Sequence, residues 1–434
     1  MTGPVGPTDT IYALSSGQPP AAVAVIRSSG PGASAAAETL AGTLPLPRKA
    51  SVRTLRDPDT AIVLDQVLVL RFDAPASSTG EDVVEYQCHG GRAVVRSILD
   101  AISTLPGMRA AEPGEFTRRA FLNGRIDLTE AEGLADLLEA ETERQRRAAL
   151  LSAEGGVRRL VEGYRERIVI LSARAEAAID YVDDEGETSA DTVIFAAEAR
   201  SIADELDQWL AKPRAEPLRQ GIRVVAAGPP NAGKSSLINA LSQSDRAIVT
   251  NIPGTTRDVI EVPVAIAGIP FVLVDTAGLR DGRDAVERIG IVRAEAELSR
   301  ADLLLWLGSA NDVPDHPRLM RLHPRCDEQG RCEPVGNDTL AVSSFTGEGI
   351  DRLTEWLIVQ ATSLLPGEGE LALNDRQAAG LAIARDALGS ALVDDVVLVA
   401  ESLRQAREAM DRVTGRAGLE DMLDGLFGRF CIGK

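Results

Sequence analysis

The stretch RVVAAGPPNAGKSSLINAL, residues 223–241, narrows the fold more than any other part of the chain. An apolar run, a turn of Gly and Pro, and an apolar helical pattern read as strand, loop and helix in that order. Gly228-x-x-x-x-Gly233-Lys234-Ser235 has the spacing of a phosphate-cradling P-loop. Small residues let backbone N–H groups curl around a β-phosphate, and a helix beginning near Ser235 points its positive end there. In such a loop Lys234 reaches the β/γ-phosphates and the Ser235 hydroxyl ligates Mg²⁺.

The other parts of a nucleotide switch follow in order. TNIPGTTRD places Thr256 as a second Mg²⁺ ligand, on a loop able to order around a γ-phosphate. FVLVDTAGLRD is an apolar strand ending in Asp275-Thr276-Ala277-Gly278; Asp275 would hold Mg²⁺ through water, and the Gly278 N–H would sense the γ-phosphate. LAVSSFTGEG puts Ser343 and Ser344 at the last guanine loop. The expected GTP contacts are therefore Asn231, Ala232, Gly233, Lys234, Ser235 and Ser236, then Thr250, Asn251, Ile252, Pro253, Gly254, Thr255 and Thr256, then Asp275 to Gly278, Asp327, Ser343 and Ser344. One motif departs from the pattern. Where a GTPase carries Asn-Lys-x-Asp, this chain reads Pro324-Arg325-Cys326-Asp327. Asp327 can still favour guanine by accepting its N–H groups, so guanine preference with weaker binding is expected; read alone, Asp327 is also compatible with a plain loop carboxylate.

At 434 residues the chain is too long for one ordinary core, so two or three domains are expected. Aromatics are only 3%, so the cores must be mainly Ala, Leu, Val and Ile. A net charge of −19 argues against broad nonspecific nucleic-acid binding. Cys88, Cys326, Cys332 and Cys431 give no disulfide framework or metal-ligand spacing. With no secretory leader and no apolar run of membrane-spanning length, a cytoplasmic protein without a membrane span is expected. The fold class expected is multidomain, α/β and α+β. Residues 1–120 mix short β-like runs (Ala22–Ile26, Gln66–Phe72, Val83–Gln87) with helices and turns. From Asp127, an N-cap with Glu130 at N3, long helical patterns run to Pro213 and Pro217. Residues 221–361 alternate strand and helix, as a parallel α/β domain should, and after Pro366 the chain returns to helices. The simplest division is an N-terminal domain (1–120), a discontinuous helical domain (121–220 and 362–434) and an inserted G domain (221–361).

Several longer stretches go beyond generic GTPases: DTIYALSS, AVAVIRSSG, TGEDVVEYQCHGG, EPGEFTRRAFLNGRIDLTEAEGLADLL, AIDYVDDEG, IPGTTRDVIE, DTAGLRD with VERIG, and the terminal CIGK. On these the chain resembles the bacterial tRNA-modifying GTPases of the MnmE (TrmE) family over nearly its whole length. The resemblance implies an N-terminal domain that folds like tetrahydrofolate-binding enzymes and forms a homodimer. It implies a heterotetramer with an FAD- and NADH-using partner, MnmG (GidA), FAD entering only through that partner. It also implies tRNA as substrate, with an aminomethyl or carboxymethylaminomethyl group added at C5 of the wobble uridine. The one-carbon unit would come from 5-formyl-tetrahydrofolate or a related folate. By position, Arg27, Glu85 and Arg125 match folate contacts; the last is commonly Lys in the family, and Arg changes its hydrogen-bond geometry. Read alone, Glu85 is an ordinary structural carboxylate. The resemblance further implies K⁺, caged by Asn231, Thr250, Ile252 and Thr255, which promotes face-to-face pairing of G domains. Glu287 in VERIG matches the residue that orients the attacking water, although by itself it reads as a helix-surface charge. Arg257 and Arg280 flank the switches and could pair with phosphate or with acidic residues across that interface. A ribosome-assembly switch would share GTTRD and DTAG but lack the first 120 residues and the split helical domain. A membrane-transport regulator is disfavoured for want of a spanning segment.

The chain ends FGRFCIGK, which leaves three readings: a prenylation box, a reactive thiol, or a frayed helix end. Lys434 is not a usual last residue of a prenylation box. The resemblance places this terminus near the folate pocket, with Lys434 contacting the ligand. Cys431 is then a candidate nucleophile or acid/base, or a thiol that only shapes the pocket.

Overall fold

The computed structural model describes residues 9–180, 188–244, 246–249, 260–276, 296–328, 338–390, 395–417, 425–428, 430 and 432–433. Two compact units emerge, residues 1–135 with 411–434, and residues 136–410.

In the first unit, period-2 burial builds a mixed sheet from β1 (Thr10–Leu14), β2 (Val23–Ser29), β3 (Ser51–Arg56), β4 (Val63–Phe72), β5 (Val83–His89) and β6 (Met108–Ala110), in the order β3-β4-β5-β2-β1-β6. Helices α1 (Ala33–Ala41) and α2 (Arg92–Ser103) share its core, where Ala37, Leu40, Ile98 and Ile102 join Ile26, Val69 and Tyr86. Then come α3 (Glu115–Leu122) and α4 (Leu128–Glu139). The capping box expected at Asp127 is present: Glu130 N–H donates to Asp127 Oδ1 at 2.8 Å, and Asp127 N–H to Glu130 Oε2 at 2.7 Å. Arg119 on α3 is 2% exposed and paired with Asp9, Glu81 and Glu115. Burial works to raise the Glu115 carboxyl, but bonds from Arg109 and Arg119 outweigh it and hold it below its ordinary value.

The C-terminal segment belongs to this unit. Phe427 and Phe430 pack with Leu128 and Ala131, and the Phe427 ring lies 6.2 Å from that of Phe121. Ile432 forms a β-bridge with Pro113. Gly433 adopts φ +97°, and a Cβ there would fall 2.1 Å from the Leu14 carbonyl oxygen, so only glycine lets the chain pass.

In the second unit, the helical pattern read as continuous from Asp127 is broken. Thr142 starts a new helix, α5 (Glu143–Ala153), by accepting from Gln145 N–H while the Gln145 side chain accepts from Thr142 N–H. This capping box outweighs the helix propensity of the residues around it. Two long helices follow, α6 (Gly156–Asp180) and α7 (Thr188–Leu210), clipped by ion pairs Arg167–Glu205 and Arg174–Glu198. The helix Asp375–Ser390 packs on α7, and the helix Val396–Thr414 comes later in the chain. Pro217 does more than break the pattern, since it sits in the first turn of the short α8 (Glu216–Gln220), where its missing N–H costs nothing.

The same unit holds a sheet of β7 (Ile222–Ala227), β8 (Ala247–Val249), β9 (Ile260–Ile266), β10 (Ile269–Asp275), β11 (Leu303–Trp306), β12 (Leu319–Pro324) and β13 (Thr339–Val342), ordered β13-β12-β11-β7-β10-β9-β8. The run from β13 to β10 is parallel, as expected. The edge is not, because β9 runs antiparallel to β8 and β10. Ala267 (φ +50°) and Gly268 (φ +78°) form a two-residue turn between β9 and β10, and so tight a turn can only reverse the chain. Helix α9 (Lys234–Ser242) and the helix Ile350–Leu364 bury Leu237, Ile238, Leu241, Leu353 and Leu357 against Val224, Phe271 and Leu305. Each such side chain contributes roughly 1.5–3 kcal/mol.

Candidate nucleotide-binding site

The phosphate loop, the Asp275 strand end and the two base-reading loops leave the sheet at one edge, the carboxyl ends of β7, β10, β12 and β13. Open α/β sheets bind ligands along that edge. Between β7 and α9 the backbone turns through Gly228 at φ +149°. A Cβ there would lie 3.1 Å from the Leu307 carbonyl carbon, which explains the glycine. Gly233 (φ +94°) caps α9 in the left-handed region, and Asn231 (φ +61°) bends the loop back between them.

Lys234 is 4% exposed, and its Nζ donates to the carbonyls of Gly228 at 3.1 Å and Pro229 at 2.9 Å. The loop thus holds the ammonium inside itself, where an anion is its natural counter-charge. Ser235 Oγ donates to Asp275 Oδ2 at 2.5 Å, and Asp275 is 2% exposed. The register explains the meeting: Asp275 pairs with Ala226, one residue before β7 gives way to the loop. A hydroxyl beside a buried carboxylate is a hard-oxygen donor set that fits Mg²⁺. Thr276 Oγ1 donates to the Ala226 carbonyl at 2.9 Å, which ties the end of β10 to β7.

The base-reading side is built from two neighbouring loops. Pro324 and Val342 are partners in the β12–β13 ladder, and Cys326 N–H continues it to the Val342 carbonyl at 3.3 Å. Burial, with Glu348 nearby, pushes the Cys326 thiol up, which disfavours the thiolate. Asp327 is exposed on this turn. Ser343 is fully buried, and its Oγ accepts from Phe345 N–H at 3.2 Å and Thr346 N–H at 3.1 Å, which fixes the turn carrying Ser344. Arg325 has φ +60°, and its Nη2 donates to the Asn231 carbonyl at 2.9 Å. Two residues in the left-handed region therefore join the base loop to the P-loop. Motif spacing does not reveal this tie; the only signal in the sequence is a cation where Asn-Lys-x-Asp carries its own.

In the first unit, Arg27 and Glu85 are cross-strand partners on β2 and β5, with Arg27 Nε donating to Glu85 Oε1 at 2.9 Å. The Arg27 guanidinium lies 5.7 Å from the centre of the Phe116 ring. Arg125 is exposed just beyond α3, and its stem lies against Gly80. Thr250 to Arg257, Ala277, Gly278, Arg280, Glu287, Cys332, Cys431 and Lys434 lie outside the described residues.

A buried lysine inside a Gly-rich loop, beside a serine–aspartate pair at the carboxyl edge of a parallel sheet, defines a P-loop nucleotide-binding protein. Residues 10–125 match the family described as the N-terminus of the GTP-binding protein TrmE, and residues 128–431 match the MnmE helical domain. The tRNA modification GTPase MnmE of Novosphingobium aromaticivorans is 52% identical over 98% of this chain and 100% of its own length. That of Erythrobacter litoralis is 53% identical over the same shares. The chain belongs to the MnmE (TrmE) family. The G domain of the T. maritima FeoB iron transporter is also similar, at 25% identity over 32% of this chain and 98% of that one; with a TM-score of 0.24, that likeness carries no argument.

Proposed function

We infer that this chain is a GTP hydrolase acting in tRNA modification, and we propose how its residues divide that work. The observation that carries the reading is Lys234 held inside the P-loop beside the Ser235–Asp275 pair. The loop's N–H groups and Lys234 would bind the β- and γ-phosphates of GTP, and Asp327 would accept guanine N–H groups while Ser343 and Ser344 close the base loop. Ser235 and Thr256 would hold Mg²⁺ with support from Asp275, and the ion would neutralise charge on the phosphates. Asn231, Thr250, Ile252 and Thr255 would hold K⁺, which supplies the positive charge that an arginine finger supplies elsewhere. Glu287 would orient the attacking water, and the products are GDP and phosphate.

On this reading residues 221–361 form a G domain inserted into a helical domain (121–220 and 362–434), behind an N-terminal domain (1–120) that binds folate and forms the homodimer. Arg27, Glu85, Arg125 and Lys434 would contact the folate. The Arg27–Glu85 pair supports this in chemical terms, because a cation suits a glutamate tail and a carboxylate suits the pterin's donor edge. The hydrolytic cycle would gate C5 modification of the wobble uridine in the cytoplasm, in a heterotetramer with the FAD-dependent partner MnmG, Cys431 being the candidate thiol for the transfer. Among the described residues no helix is long and apolar enough to cross a membrane. Hydrolysis should run several-fold faster in K⁺ than in Na⁺, and Asn231→Lys should lose the difference. Equal rates of the parent protein in the two salts would reject the potassium assignment.

A further inference from the structure

Phe345 is 91% exposed, more than any other large apolar side chain among the described residues. A lone exposed apolar residue is ordinary, but three features set this one apart. The chain has only eight Phe in 434 residues, so an aromatic on a polar turn is out of keeping with its composition. The turn is rigid, because buried Ser343 accepts from Phe345 N–H and Thr346 N–H and donates its own N–H to the Glu348 carbonyl at 2.9 Å. It also leaves β13 beside the Arg325–Asp327 loop, to which Cys326 N–H ties it.

The neighbouring loop has lost a binding group, since Pro324 has neither a side-chain amide nor a backbone N–H to brace it. A ring carried on a fixed turn at that point supplies what a purine can use without hydrogen bonds, a flat apolar face. We propose that Phe345 stacks on the base of the bound nucleotide and supplies affinity, not selectivity, at a site whose base-reading motif is depleted. The proposal rests on the GTP site described above. Stacking is indifferent to the edge pattern of the base, so its loss should weaken every purine nucleotide alike, whereas Asp327 separates them.

The test is calorimetric binding of GDP and xanthosine diphosphate to the full chain and to Phe345→Ala and Phe345→Trp. Because the ring is exposed, both variants should unfold at the parent's temperature. Phe345→Ala should lower affinity for both nucleotides by one common factor, roughly five- to a hundredfold. Phe345→Trp should keep the affinity and report GDP as a quench of the new indole's fluorescence. Unchanged GDP affinity in Phe345→Ala, or an indole silent to saturating GDP, overturns the stacking role and leaves the ring to a protein contact. If the parent chain itself binds no guanine nucleotide, the GTP site fails, and not merely this refinement of it.

Discussion

Lys234 shows how far single residues carry the account. The cation is almost buried, yet it is bonded to two carbonyls of its own loop, an arrangement that keeps it solvated by the protein until a phosphate is present. P-loop spacing announces it, because that geometry needs glycines at fixed places. Asp275 is legible for a related reason, lying at the end of an apolar strand. The Arg325–Asn231 tie is not legible, since it joins residues 94 positions apart through a side-chain rotamer. Asp327 stands between these cases: the sequence marks it as the base-reading carboxylate of a damaged motif, and the exposed turn leaves it able to act as one. Asp327→Asn should therefore lower GTP affinity more than xanthosine triphosphate affinity, because an amide offers a donor to the xanthine oxygen. Binding titrations with the two nucleotides check this, and equal affinities before and after substitution would remove Asp327 from the site.

Elements were readable where one local signal dominated. The Asp127 box fixed the start of α4, and the short β-like runs of the first 120 residues became β2, β4 and β5 with ends shifted by a few residues. The break before α5 was hidden because Thr142 is one hydroxyl within an otherwise helical stretch. The antiparallel edge was hidden because Ala267, a good helix former, occupies a left-handed turn that normally favours Gly or Asn. The C-terminal segment is the element with the most to say about function. It is pinned by two phenylalanines, a β-bridge at Ile432 and the close pass at Gly433. Gly433→Ala puts a Cβ into the Leu14 carbonyl, so it should release the end of the chain while leaving the phenylalanine cluster in place. Hydrogen exchange should then show residues 432–433 exchanging at least tenfold faster, with Phe427 little changed. Unaltered exchange at residues 432–433 in the variant would show that the close pass does not hold the terminus.

For the whole molecule, family membership rests on likeness over 98% of the chain, and the nucleotide chemistry rests on one edge of one sheet. What joins GTP hydrolysis to a particular nucleoside is the proposal that the cycle at Lys234 gates modification of the wobble uridine. Length and alternating textures make several domains legible in the sequence, because a single hydrophobic core stops growing well short of a chain of this size. The route from one site to the other could not be read the same way, since it depends on assembly and not on local pattern. The most direct measurement is nucleoside analysis by mass spectrometry of tRNA from a strain lacking this gene, complemented with the parent chain or with Lys234→Ala. The account predicts that C5-modified wobble uridine disappears on deletion, returns with the parent chain and stays absent with Lys234→Ala. Unchanged wobble nucleosides in the deletion strain, with ribosomal precursors accumulating instead, would contradict it.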